Sequence, residues 1–173
     1  MKIFLNGYMG SGKSLIGKML SDSMGYPYVD MDDQIEIMEG TSIHEIFQKK
    51  GELYFRKLEN DILKDILASN SDMIISLGGG TPCYGNNFEL IKADPENITV
   101  YLKASVEQLT QRLFLEKVHR PVISHLDTKE QLEEFIRKHL FERAYYYNQS
   151  KIIVDVDHAT PTMILEKIKA KLD

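Results

Sequence analysis

Gly7-Tyr8-Met9-Gly10-Ser11-Gly12-Lys13-Ser14 spells G-x-x-x-x-G-K-S, a run that works only between a strand and a helix. Lys2-Ile3-Phe4-Leu5-Asn6 before it is a short apolar run of the kind that forms a buried parallel strand. Leu15, Ile16, Met19 and Leu20 after it recur at helical spacing. The glycines let successive backbone N–H groups turn toward one anion, and a helix N-terminus adds its positive dipole end. Lys13 then reaches outer phosphates, and the Ser14 hydroxyl offers a ligand to Mg²⁺. The run is therefore read as a phosphate cradle.

The 173 residues suit one domain, 1–173, large enough to bury a core. A net charge of −5 speaks against nucleic acid as a partner, since phosphate backbones need a basic face. A small anion needs only a local cluster of arginine and lysine. Cys83 is the single cysteine, which excludes an internal disulfide and fits a reducing cytoplasm. No apolar run approaches membrane-spanning length, and the first strand also serves the phosphate loop. Neither a membrane span nor a signal peptide is expected.

Strand and helix signals alternate along the chain. Strands are expected at Lys2–Asn6, Tyr28–Asp30, Met73–Ser76, Ile98–Leu102 and Ile152–Val154. Helical periodicity runs from Leu53 to Leu67, Ser105 to Leu115, Glu130 to Tyr147 and Pro161 to Leu172, with Thr160 as a cap for the last. Five short apolar strands separated by helices predict an α/β three-layer sandwich, with a central five-stranded parallel sheet covered on both faces. Ligands gather at the carboxyl ends of such strands, so Gly7, Asp30 and Gly78 should line one crevice. Two segments break the alternation. The stretch of about 32–60 holds short helical pieces and reads as a substrate-binding subdomain. The stretch of about 112–127 is polar, carries Arg120-Pro121 and reads as a mobile lid.

Phosphoryl transfer also needs a metal site, cationic stabilisers and a positioned acceptor. The Met73–Ser76 strand ends in no acid, so Asp30 is the better candidate to hold a metal-bound water, with Ser76 a second choice. Asp32 lies two residues on. At a strand end that spacing returns both side chains to one side, one facing the metal and one the acceptor. Capping of the next helix by Asp32 or Asp33 is the structural alternative. Gly78-Gly79-Gly80 follows a strand, where a triple glycine suggests close backbone approach to a ligand. Arg56, Arg120 and Arg143 offer planar forks for carboxylate or phosphate, with Glu59 on the same helix face as Arg56. His44, His119, His125, His139 and His158 lack metal-ligand spacing and read as surface or structural residues.

Together these motifs resemble the shikimate kinase family, over essentially the whole chain. The phosphate loop is shared with many families. The Asp30-Met31-Asp32 pair, Phe55-Arg56 with Glu59, the triple glycine, Arg120-Pro121 and Arg143, in that order, are specific. The resemblance implies a fold of the P-loop kinase type and transfer of the γ-phosphate of ATP to the 3-hydroxyl of shikimate, with Mg²⁺. It puts Lys13, Asp32 and Arg120 in catalysis. ATP would lie on Gly10, Ser11, Gly12, Lys13, Ser14, Leu15, Arg112, Arg120 and Pro161. Shikimate would lie on Asp32, Arg56, Gly78, Gly79, Gly80 and Arg143. The metal would be held by Ser14 directly and by Asp30 through water. It also implies a monomer. The chain departs from the family pattern at Leu15, at Val122, at Ala144-Tyr145-Tyr146-Tyr147 after Arg143, and in a lid about one residue longer than usual. A gluconate-kinase-like enzyme and a nucleotide-binding regulatory module are the alternatives.

Overall fold

β1 (Lys2–Asn6) is buried along its whole length. Its pleat sends Ile3 and Leu5 into one apolar cluster and Phe4 into another on the opposite face. That two-sided burial requires helices above and below the strand. The structure, a computed structural model, describes residues 1–172. β1 lies at the centre of a five-stranded sheet with β2 (Tyr28–Asp30), β3 (Met73–Ser76), β4 (Ile98–Lys103) and β5 (Ile152–Asp155), in the order β2-β3-β1-β4-β5. Every pairing is parallel. α1 (Lys13–Met24), α5 (Val106–Glu116), α6 (Lys129–Tyr147) and α7 (Pro161–Leu172) cover the face that Ile3 and Leu5 enter. α2 (Met31–Glu39), α3 (Ile43–Ala68) and α4 (Asn87–Lys92) cover the other.

The expected strands are all present, and the three-layer sandwich is the observed architecture. Cover on both faces holds at the centre of the sheet but not at its edge. In β5, Ile152 and Val154 are buried while Ile153 and Asp155 are exposed. An edge strand with helix cover on one side keeps the one-sided alternation.

The stretch after β2 is more regular than its sequence suggests. α2 starts at once at Met31, and α3 is two helical pieces meeting at Gly51, whose φ of 82° breaks the helix. α4 has only six residues, too few to show a period. On the other side of the sheet, a short 3₁₀ turn (Lys117–His119) follows α5, and Arg120 and Pro121 come next. Ile123 is fully buried, while Val118 and Val122 are exposed. Burying one isoleucine contributes about 1.5–3 kcal/mol, which pins the far end of this segment to the core and leaves its near end on the surface.

Candidate active site

β1, β2 and β3 are neighbours, so the residues at their carboxyl ends meet. They line a cleft of about 420 Å³, whose wall includes Gly10, Gly12, Lys13, Ser14, Leu15, Asp30, Asp32, Gly79, Glu116 and Arg120. Of the three residues expected at one crevice, Asp30 lines this cleft, while Gly78 packs against Asp32 and the Gly7 carbonyl lies behind Gly79, just outside its wall.

Gly12 takes a φ of 98° and lets α1 begin at Lys13. Lys13 Nζ turns back on the loop and donates to the carbonyls of Gly7 (2.8 Å) and Tyr8 (3.1 Å). Burial lowers its pKa to about 8, against the pull of Asp32 and Asp30. The ammonium is thus short of solvent and well placed to take an anion. Ser14 Oγ donates to Asp30 Oδ2 at 3.1 Å. Tyr28 Oη donates toward the same oxygen at 3.1 Å and also lies 2.9 Å from Ser76 Oγ. Ser14 and Asp30 therefore offer paired hard oxygens at the loop. That donor set suits Mg²⁺, which takes one or two protein oxygens and completes its shell with water and phosphate. Ser76 is buried behind Tyr28, so the second-choice role considered for it does not hold.

The relation between Asp30 and Asp32 differs from the strand-end expectation. Asp30 is the last residue of β2 and also the N-cap of α2, its Oδ1 accepting from Asp32 N at 3.1 Å. Asp32 is already helical. The cap is neither Asp32 nor Asp33, and Asp32 is left free to face the cleft. Burial, and then the charge of Asp30, push its pKa up to about 6, with Lys13 opposing. A carboxylate that titrates there is suited to holding a hydroxyl and accepting its proton.

Gly78, Gly79 and Gly80 take no left-handed φ. Their lack of a side chain serves close approach. A Cβ on Gly78 would stand 2.8 Å from Asp32 Oδ1, one on Gly79 3.0 Å from Arg143 Nη1, and one on Gly80 2.9 Å from both terminal nitrogens of Arg56. The three glycines thus make room for three side chains from α2, α6 and α3. The turn is held from behind by Thr81 Oγ1 donating to Glu59 Oε1 (2.5 Å) and by Asn87 Nδ2 donating to the Thr81 carbonyl (2.9 Å). Glu59 is 1% exposed and pairs with Arg56 Nη1 at 3.0 Å. The Arg56 guanidinium lies 3.7 Å from the centre of the Tyr84 ring. The Arg56 and Arg143 guanidiniums therefore both stand against one glycine turn, with Arg56 fixed there by Glu59 and Tyr84.

Arg120 reaches the cleft wall, where Nε and Nη2 donate to Glu116 Oε2 at 3.0 and 2.7 Å. Arg112 lies in α5 and donates from Nη1 to the Gly10 carbonyl at 3.0 Å, against the loop. Pro161 stands at the first turn of α7 and is not part of the cleft wall. Sequence reasoning missed Tyr84, Thr81 and Tyr147, whose hydroxyl donates to the Gly79 carbonyl. Their roles are contacts across the fold. The run Tyr145-Tyr146-Tyr147 was the one local hint.

A phosphate loop, a pair of hard oxygens, a free carboxylate and two half-buried arginine forks on a five-stranded parallel sheet define a small-molecule kinase of the P-loop class. A family model described as shikimate kinase matches residues 9–173. A shikimate kinase of Flavobacterium johnsoniae is 48% identical, over 92% of this chain and 91% of that one. The crystal structure of a shikimate kinase from Bacteroides thetaiotaomicron superposes with a TM-score of 0.88 at 32% identity, covering 98% of this chain and 95% of that one. A shikimate kinase from Acinetobacter baumannii in complex with shikimate superposes with a TM-score of 0.85 at 28% identity, covering 99% of this chain and 92% of that one. The chain belongs to the shikimate kinase family.

Proposed function

We propose that the chain transfers the γ-phosphate of ATP to the 3-hydroxyl of shikimate. The observation that carries this reading is the glycine turn, with Asp32, Arg143 and Arg56 packed on successive residues. It presents one hydroxyl-holding acid and two carboxylate-binding forks at the spacing of a single small molecule. Shikimate, a carboxylate with three hydroxyls, has those groups.

In this reading Arg56 and Arg143 take the acceptor carboxylate, and the backbone of Gly78, Gly79 and Gly80 lies against the ring hydroxyls. Asp32 holds the reacting hydroxyl and accepts its proton as the new O–P bond forms and the β–γ bridge breaks. Lys13, released from the Gly7 and Tyr8 carbonyls, and Arg120, released from Glu116, neutralise charge on the transferring group. Backbone N–H groups of residues 10–14 cradle the phosphates, with Leu15 beyond them. Arg112 and Pro161 flank the adenine. Ser14 directly, and Asp30 through water, would hold Mg²⁺, which would supply positive charge to the phosphates when bound. Residues 32–60 serve as the acceptor subdomain and 112–127 as the lid. The enzyme works as a monomer in the cytoplasm, with no nucleic-acid or membrane partner.

A coupled assay with ATP and Mg²⁺ tests the reaction. Turnover is expected with shikimate and not with gluconate or nucleoside monophosphates, and chelation of the metal should stop it. ATP consumption indifferent to shikimate would sink the reading and favour a regulatory nucleotide-binding module. Gly80→Ala supplies a geometric test. Its Cβ crowds an Arg56 guanidinium already held by Glu59 and Tyr84. The shikimate KM should rise about tenfold or more, from loss of one charge-assisted contact, with the ATP KM nearly unchanged. Equal kinetics in this variant would count against a rigidly held Arg56 as the determinant of acceptor binding.

A further inference from the structure

We propose that Tyr8 and His139 form a positioning pair, a side-chain link that holds the phosphate loop and Arg143 at a fixed separation. Tyr8 occupies a freely variable position of the loop motif, yet it is only 1% exposed. A buried phenol needs a partner, and Tyr8 Oη has one in His139 Nδ1 at 3.0 Å. The same residue is a hub on its backbone side. Its carbonyl accepts from Ser11 N (3.2 Å), closing the loop's turn, and from Lys13 Nζ (3.1 Å). Tyr8 therefore connects the turn and the lysine of the loop to α6.

α6 delivers that link on one face. His139, Arg143 and Tyr147 are spaced by four residues, so their side chains stack along the helix. His139 holds Tyr8. The Arg143 guanidinium lies 5.8 Å from the centre of the Tyr8 ring, and Tyr147 Oη donates to the Gly79 carbonyl. One helix face thus touches the phosphate loop at one end and the glycine turn at the other, with Arg143 between. The His139 ring is steadied by edge contacts with Phe135 (5.1 Å) and Tyr8 (5.7 Å). This inference rests on the reading of Arg143 as a ligand of the acceptor carboxylate.

The polarity of the link follows from its surroundings. Burial holds the Tyr8 phenol above its usual pKa, so it stays protonated, and in the proposed link it is the donor. His139 must then accept on Nδ1 and carry its proton on Nε2. Burial and the charges of Arg143 and of Arg56 on α3 keep the imidazole below its ordinary value, with Glu142 alone opposing. The neutral ring is the one that works. A second proton, on Nδ1, would reverse the donor and acceptor roles in the link and set a second cation beside Arg143.

The test compares Tyr8→Phe, His139→Leu, the double variant and His139→Asn in steady-state kinetics, and follows the His139 imidazole by NMR. Asn places an acceptor oxygen where Nδ1 stood and does not titrate. Each of the first two variants should raise the shikimate KM and lower kcat, together about five- to tenfold in kcat/KM, with a smaller change in the ATP KM. The double variant should be no worse than the poorer single, because both remove one interaction. His139→Asn should recover most of the loss. By NMR, His139 should carry its proton on Nε2 in the parent protein, and its pKa should rise in Tyr8→Phe. Effects confined to melting temperature, additive singles, or a His139 protonated on Nδ1 would overturn the proposal. If the parent protein fails to use shikimate, the functional reading falls, while the NMR arm still decides the pair.

Discussion

Asp32→Asn is expected to lower turnover with shikimate by about 10²- to 10⁴-fold, the range for removing a positioned general base. Asparagine keeps the shape and a hydrogen bond to a hydroxyl, so the shikimate KM should move much less than kcat. The same variant should melt higher than the parent. Burial and Asp30 raise the Asp32 pKa from an ordinary 3.8 to about 6 in the folded protein. Between those values the folded state binds more protons than the unfolded state, so stability falls as pH rises through the window. At pH 7 the ionised carboxylate is therefore a net destabiliser of the empty site. Removing it should gain on the order of 1 kcal/mol, or about 2–4 °C for a domain of this size. The parent enzyme's kcat/KM should fall on the acid side near pH 6 as Asp32 protonates. Lys13, lowered to about 8, should set an alkaline limb, which bound phosphate shifts upward in kcat. A variant with a tenth or more of parental turnover, or a flat profile from about pH 5 to 9, would remove Asp32 from its role.

Arg56→Ala is expected to do two separable kinds of damage. Loss of a charge-assisted fork should raise the shikimate KM by about a hundredfold, while ATP binding by calorimetry changes little. The second effect is on the fold. Glu59 is 1% exposed, and its two oxygens serve Arg56 and Thr81. Without the guanidinium it is a buried carboxylate with no cation, a change that destabilises by about 3–5 kcal/mol. Arg56→Ala combined with Glu59→Gln distinguishes the two. The double variant should regain most of the melting temperature but none of the acceptor affinity. Recovery of both would mean that Arg56 acts only by holding Glu59 and the glycine turn.

The phosphate loop was fully legible because its signal is local. Glycine at residues 7, 10 and 12 sets backbone angles that no distant contact has to supply, and the flanking strand and helix read from their own periods. Asp30 and Asp32 were legible as a pair but not in their division of labour. The expected strand alternation fails because α2 begins at Met31, which makes Asp30 the cap and frees Asp32. The triple glycine was legible as a place of close approach. That the approaching groups include Asp32, Arg143 and Arg56 themselves was not, since they come from three helices. His139 carried no sign at all, being one of five histidines without a motif, and its partner occupies a variable loop position.

Taken alone, the sequence determined the parallel sheet, the phosphate cradle, and the stock of acids and arginines that an acceptor site needs. Those depend on backbone preferences and on hydrophobic period, which act over a few residues. The tertiary structure decided which of those side chains meet. The order β2-β3-β1 brings Asp30, Gly78 and Gly7 to one edge, and packing of α3 and α6 around it sets Arg56 and Arg143 on adjacent glycines. Contacts between residues dozens of positions apart follow from how whole elements pack, and no short stretch of sequence encodes them.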